Sequence, residues 1–234
     1  MNIVDVVIIL VLVLGLVVGA KKGFTRQLVD TVGTIAVIVL SFLLKWYVSS
    51  ILYKFCPFFH FSGNLEGITS LNLLLYEVVA FFILFIILSS ILKILKLTTN
   101  IFEKFLKMTI VLGIPSKILG AIVGMIQNFI FLFVALYFLR LPVLGLELIK
   151  ESKLSDKILN STPLLSSVCK NTLSVFEDFD KLIEEYKNEK DHALVNQKTL
   201  ELLVEKKIVN IEVANKLIAE GKLENAVALQ RKEA

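Results

Sequence analysis

Histidine, cysteine and tryptophan are almost missing from this 234-residue chain, which has two His, two Cys and one Trp. Two cysteines, Cys56 and Cys169, are too few for a disulfide scaffold or a thiolate metal site. They leave open one bridge or two separate thiols. His60 and His192 lie outside the apolar runs, so no imidazole sits within them for acid–base or metal work. Proline is scarce (4 residues) and charged residues make up only 20%, with a net charge of +4. A chain so poor in charge and so ordered in its apolar pattern is neither a disordered segment nor an ordinary soluble domain. No nucleic-acid partner is expected.

Other signatures are missing as well. No nucleophile stands beside a base in the apolar runs, and there is no nucleophile-elbow serine, HExxH or paired-aspartate helix pattern. The glycines do not form a phosphate-binding loop, because they lie inside hydrophobic stretches. The expectation is a protein that is not an enzyme and that takes no cofactor and no metal.

What is abundant is apolar mass: 56% hydrophobic residues, 17 of them Phe, with a mean hydropathy of +0.78. A helix needs about 20 apolar residues to cross a bilayer core. Four runs qualify, at about 3–20, 28–44, 71–92 and 118–139. The first mimics a signal peptide through Val18 and Ala20. Its charges are reversed, however, with Asn2 and Asp5 before the run and Lys21, Lys22 and Arg26 after it, so it reads as an uncleaved span. Trp46 and Tyr47 beside Lys45, and Tyr137 beside Arg140, mark the interfacial ends of spans two and four. Pro115 suits a helix start.

Basic residues collect in the first loop (Lys21, Lys22, Arg26) and the third (Lys93, Lys96, Lys104, Lys107, Lys117). The positive-inside rule then turns those loops to the cytoplasm, with the N-terminus and the tail outside, although Arg140, Lys150, Lys153 and Lys157 dilute the bias. Between spans three and four, residues 94–108 place Ile94, Leu97, Ile101, Phe105 and Met108 on one helical face. Lys93, Lys96, Lys104 and Lys107 supply the polar side. This reads as a basic helix lying on anionic lipid, in preference to an extension of span three.

Glycines recur every four residues in the first span (Gly15, Gly19, Gly23) and in the last (Gly120, Gly124), where Asn128 continues the strip. Inside a water-soluble helix such glycines only cost stability. Between membrane helices they allow close approach, and Asn128 is placed for an interhelical hydrogen bond. The intramembrane candidates for ion or proton work are Asp5, Glu77 and Gln127. The plainer reading of Asp5 is a carboxylate at the headgroup level, in a first turn that suits its charge. Arg26 and Asp30 have the spacing of a local ion pair.

The fold expected is all-α: a four-span transmembrane bundle with a basic interfacial helix and a C-terminal amphipathic helical tail. The divisions are residues 1–145 for the bundle, 146–190 for an amphipathic connector and 191–234 for a small helical module. In the connector, Phe176, Phe179, Ile183 and Tyr186 keep helical spacing. In the module, Leu200, Leu203, Val204 and Ile208 form one apolar face, Val213, Leu217 and Ile218 a second, and Leu223, Ala226 and Val227 a third. Asn210 and Asn225 suit caps or turns and Gly221 a helix stop. So small a module is marginal alone and needs something to pack on, either as a docking unit or as a cap on the bundle.

Several segments together resemble a known family. Asp5, the apolar run after it and Lys22-Gly23-Phe24-Thr25-Arg26-Gln27-Leu28 look like the opening of the colicin V production protein (CvpA) family. Leu119-Gly120-Ala121-Ile122-Val123-Gly124 is similar to its glycine-rich fourth span. Ser152-Lys153-Leu154-Ser155-Asp156 with Thr162-Pro163-Leu164-Leu165 is similar to the segment that follows. The chain departs from the family at Gln127 and Asn128, where Arg-Gly is common. The resemblance covers about residues 1–165. It implies a bacterial inner-membrane protein linked to export of a peptide toxin or to envelope physiology, acting with a membrane-protein partner or by self-association. A small transporter or channel subunit using Asp5, Glu77 and Gln127 is the competing expectation.

Overall fold

The computed structural model describes residues 2–62, 65–98, 113–140, 149, 151–160, 175, 178–179, 181–183, 185, 192–223 and 226–230. Every regular element among them is helical. These are α1 (Ile3–Lys22), α2 (Phe24–Phe55), α3 (Leu71–Thr98), α4 (Gly113–Leu139), α5 (Lys153–Asn160), α6 (His192–Glu205) and α7 (Ile211–Ala219). The first four contain apolar stretches long enough to cross a bilayer. At about 1.5 Å per residue, the 32 residues of α2 reach well past a hydrocarbon core of about 30 Å. Its polar ends are therefore helical although they are not apolar. The chain is thus an all-helical, multi-pass membrane protein.

It divides into two compact units that interleave along the sequence. One comprises Met1–Lys45, Phe81–Leu139 and Glu147–Ser161, and the other Trp46–Ala80, Arg140–Leu146 and Thr162–Ala234.

In the first unit α1 starts where Asp5 Oδ2 accepts from the Asn2 amide at 3.0 Å. It ends at Gly23, whose φ of 76° is open to glycine and costly to other residues. That single residue separates α1 from α2. Gly15 lies beside Gly124 and Gly19 beside Gly120, so α1 and α4 run antiparallel. Gly33 meets the Leu92 side chain and Phe42 lies 4.6 Å from Phe81, centroid to centroid, so α2 and α3 also run antiparallel. Phe81, Phe82, Phe85, Phe131, Tyr137 and Phe138 join Phe42 in one aromatic cluster. Most of this unit's phenylalanines therefore act as packing mass, in tilted, edge-on and stacked pairs. The outer face of α1 keeps Val6, Val7, Leu10, Val13, Leu14 and Val17 exposed, as suits lipid.

Residues 94–98, the first part of the segment assigned above to an interfacial helix, continue α3 as helix. The rest of that segment, with Lys104 and Lys107, lies outside the described residues.

In the second unit, the end of α2 and the start of α3 are joined through residues 56–70. Asn72 pins this connection. Its Oδ1 accepts from the Phe59 amide at 2.8 Å, and its Nδ2 donates to the carbonyls of Phe59 (2.9 Å) and Thr69 (3.0 Å). The Tyr76 hydroxyl donates to the Pro57 carbonyl. Ile68, Leu71, Leu73, Leu74 and Tyr76 are all buried. The tail module packs here. Asn196 of α6 is fully buried, accepts from the Ser70 amide at Oδ1 (2.9 Å) and donates to Thr69 Oγ1 (3.2 Å). Lys222 Nζ donates to the carbonyls of Tyr53 and Lys54 at 2.6 Å each, meeting the carbonyl end of α2 with positive charge. Leu200, Leu203, Ala214 and Leu217 form the apolar seam of α6 and α7. Asn210 caps α7 by accepting from the Glu212 amide at 2.9 Å, and Gly221 (φ 70°) follows its end.

Of the connector's helical face, Phe179 is buried and Ile183 is helical, while Phe176 and Tyr186 lie outside the described residues, as does Asn225. Lys206 donates to Asp178 at 2.8 Å. That hydrogen bond holds the Asp178 carboxyl below the usual range and lifts the Lys206 ammonium above its own.

Candidate functional site

The seam between α1 and α4 is built from backbone. A Cβ on Gly15 would lie 2.6 Å from the Gly124 carbonyl oxygen, and one on Gly120 would lie 2.5 Å from that of Gly19. A Cβ on Gly19 or Gly124 would also meet main-chain atoms well inside contact distance. Gly23 has Ser116 Oγ as its neighbour, and that hydroxyl accepts from the Phe24 amide at 3.1 Å. Close approach brings Asn128 within reach of α1, where its Nδ2 donates to the Val11 carbonyl at 2.7 Å. That carbonyl already belongs to a helix, and its second lone pair takes the side chain.

Gln127, the next residue back, faces α2. Its Oε1 accepts from Gln27 Nε2 and from Thr31 Oγ1 (3.1 Å), and its Nε2 donates to Thr34 Oγ1 at 3.3 Å. Sequence reasoning did not single out Gln27, Thr31 or Thr34. The signal was present, since positions 27, 31 and 34 share one helical face.

Asp5 was singled out for ion or proton work, and the structure shows what surrounds it. It is 4% exposed, and its Oδ1 accepts from Ser152 Oγ at 2.6 Å and from the Leu154 amide at 3.2 Å. Ser152 Oγ also accepts from the Ser155 amide at 3.1 Å. Asp5 and Ser152 together therefore cap the start of α5, while the other oxygen of Asp5 caps α1. Residues before span one and after span four are tied together by one carboxylate.

Asp30 corrects the spacing argument. Its partners are Lys22 (2.9 Å) and Lys96 (2.8 Å), not the expected Arg26. Two lysines brought in by the Gly23 turn and by α3 outcompete the neighbour four residues away. Lys96, assigned above to the lipid surface, thus binds a carboxylate within the protein, and Lys93 is exposed. The Asp30 cluster borders a cavity of about 290 Å³ with Thr34, Phe85 and Phe131.

Glu77 belongs to the second unit. It is 4% exposed and accepts at Oε1 from Ser49 Oγ (2.5 Å) and from the Tyr53 hydroxyl (2.9 Å). Ser49 and Tyr53 are spaced four apart on α2, another pairing that sequence reasoning passed over. Glu77 borders a cavity of about 1120 Å³ whose other walls include Trp46, Glu201, Glu205, Lys207 and Ile208. Cys56 is a free thiol, and Cys169 lies outside the described residues. Among the described residues no cluster of His, Cys, Asp or Glu could hold a metal ion.

Comparison with known proteins places this arrangement. No solved structure matches the chain. An uncharacterized transmembrane protein of Bacillus subtilis (strain 168), YshB, is 31% identical over 188 residues, covering 70% of this chain and 93% of the relative. The model of the family described as Colicin V production protein matches residues 4–163, which take in all four spans, both glycine strips and the Asp5–Ser152 cap. The chain belongs to the colicin V production protein family.

Proposed function

We propose that this chain is a non-enzymatic protein of the bacterial cytoplasmic membrane. It supports export of a toxin or other peptide, or upkeep of the envelope, by assembling with a membrane-protein partner or with further copies of itself. The observation that carries this reading is the seam of α1 and α4, where four glycines bring backbone against backbone. Such a seam holds a shape and leaves no room for a path. The polar side chains near it are engaged: Asn128 with the Val11 carbonyl, Gln127 with Gln27, Thr31 and Thr34, and Asp5 with Ser152. The face that α1 leaves exposed is apolar and suits lipid or a partner's spans. Lys93 offers charge to an anionic leaflet.

In the orientation we propose, loops one and three face the cytoplasm and the two ends of the chain lie outside. The bond between Asp5 and Ser152 supports placing the segments before span one and after span four on one side. A C-terminal fusion to a periplasm-active enzyme should be active, whereas activity of a cytoplasm-only reporter would reverse the orientation.

One observation favours the second reading, a small transporter. Glu77 is a buried carboxylate held by two hydroxyls beside a large cavity. Purified protein in liposomes separates the two. The assembly reading expects no proton or cation flux above protein-free vesicles, together with crosslinked partner or self-adducts from native membranes. Flux abolished by Glu77→Gln would overturn it, and so would the absence of any adduct.

A further inference from the structure

The cavity of about 290 Å³ in the first unit is charged at one end and apolar at the other. It lies between α2 and α3, with Phe131 of α4 on its wall. Asp30, Lys93 and Lys96 border the end nearest the first and third loops. Thr34 and Ser89 come next, and Val37 and Phe85 line the end toward mid-span. At about 1.5 Å per residue, Phe85 lies about 16 Å along α3 from Lys96. Lys93 and Phe131 are exposed, so the cavity can be reached from outside the bundle.

Positive charge is in excess at its mouth. Lys22 (2.9 Å) and Lys96 (2.8 Å) share the single carboxylate of Asp30, two ammoniums against one anion. Lys93 adds a third ammonium, and among the described residues no carboxylate other than Asp30 borders the cavity. An ammonium has three protons to donate, so Lys96 has donors beyond the one on Asp30. Thr34 Oγ1 accepts from Gln127 Nε2 at 3.3 Å, which leaves its own proton to donate. These donors suit an anion rich in acceptors and repel a cation. A free phosphate ester would meet them but leave the apolar wall bare. An acyl chain covers that wall, and a phospholipid carries both parts in the same order along the helices. Basic pockets between spans on the cytoplasmic side hold lipid headgroups in this way.

We propose that the cavity is a binding site for an anionic phospholipid. Its phosphate is held by Lys93, Lys96 and Ser89, and one acyl chain lies along Val37, Phe85 and Phe131. Asp30 is a positioning residue that gathers Lys22 and Lys96 at the mouth. The site rests on the reading of Lys93 as charge offered to an anionic leaflet and not on assembly. Crosslinking tests assembly and lipid binding tests the site, so one can fail without the other.

The test uses the full chain in dodecyl maltoside micelles, read by native mass spectrometry. Phosphatidylglycerol and phosphatidylcholine with identical acyl chains are added in turn. The first phosphatidylglycerol should be held about tenfold more tightly than phosphatidylcholine. Lys93→Gln should weaken its binding about fivefold, and Lys93→Arg should keep most of it. Lys117→Gln, at an exposed lysine that does not border the cavity, should change nothing. Ser89→Leu fills the cavity without altering charge and should also weaken phosphatidylglycerol binding. Glycerol phosphate at the same concentration should not displace the lipid. Equal affinity for the two lipids would overturn the proposal, as would equal effects of Lys93→Gln and Lys117→Gln. Unchanged binding to Ser89→Leu would reduce the site to diffuse surface charge and overturn it too. Displacement by glycerol phosphate would make the ligand a free phosphate ester, with the same consequence. Lys93 is exposed, so its variants should keep the parent's helix content by circular dichroism.

Discussion

Gly19→Ala adds one methyl group where α1 meets α4. Its carbon would lie 2.9 Å from both the Gly120 carbonyl carbon and the Gly124 Cα, and closer still to the Gly120 oxygen. Ordinary carbon contacts begin at about 3.5 Å, and the obstructing atoms are backbone, which cannot swing aside. The helices must part by roughly 1 Å to restore contact distance. The Asn128–Val11 bond starts at 2.7 Å, so a parting of that size carries it beyond the range of a hydrogen bond. Overpacking costs about 1–3 kcal/mol and the lost interhelical bond about 0.6–1.7 kcal/mol. Alanine's better helix propensity offsets little, since helices persist in the membrane-denatured state. The expected loss is about 2–4 kcal/mol.

Gly33→Ala is the control. There the added carbon meets Leu92 Cδ2 at 2.9 Å, the movable end of a side chain, and an adjusted rotamer costs about 0.5–1.5 kcal/mol. Pulse proteolysis across an SDS titration in mixed micelles measures both variants. If Gly19→Ala falls within about 0.5 kcal/mol of the parent, or costs no more than Gly33→Ala, the seam does not hold the bundle as argued.

Three further outcomes follow from the same geometry. Asn196→Ala strands the buried Ser70 amide and should weaken docking of the tail module by about 1–3 kcal/mol, read as faster proteolytic cleavage after Asp191. Ser152→Ala removes the hydroxyl donor to Asp5 and the cap of α5. A loss of about 1–2 kcal/mol is expected, while Ser152→Thr should restore most of it, and equal stability of all three would contradict the capping role. The Asp178–Lys206 pair sets a pH window. The depressed Asp178 pKa gives stability that is complete above the ordinary aspartate value of about 3.9 and is lost as pH falls through its lower folded value. The raised Lys206 pKa gives stability that is complete below about 10.4 and is lost as pH rises through its higher folded value. Protease resistance of the tail should therefore stay flat between those limits, and Lys206→Met should lower it throughout and flatten the acid limb.

The four spans were legible because hydropathy is a sum over neighbours in sequence, and the glycine strips because a four-residue period survives without any partner in view. The span ends were not: α2 begins at Phe24 and runs to Phe55, past the expected 28–44. Its polar ends find partners in Lys22 and, far off in sequence, in Gln127, Glu77 and Lys222, the last donating to the Tyr53 and Lys54 carbonyls. The same holds for Asp30. Spacing nominated Arg26, and the turn at Gly23 together with the approach of α3 delivered Lys22 and Lys96 instead.

By itself, then, the sequence determined that this chain lies in a membrane, how many times it can cross and which faces of α1 and α4 are smooth, all properties of local composition and period. Only the tertiary structure decided which partners the buried polar groups meet. Asp5, open in the sequence between ion or proton work and a carboxylate at the headgroup level, caps two helices. Gln127 is one of four side chains in an amide–hydroxyl cluster. The tail module, open between docking unit and cap, lies against residues 46–80 through Asn196 and Lys222. A buried polar group must find a partner, and the partner is chosen by distances that sequence neighbours do not set.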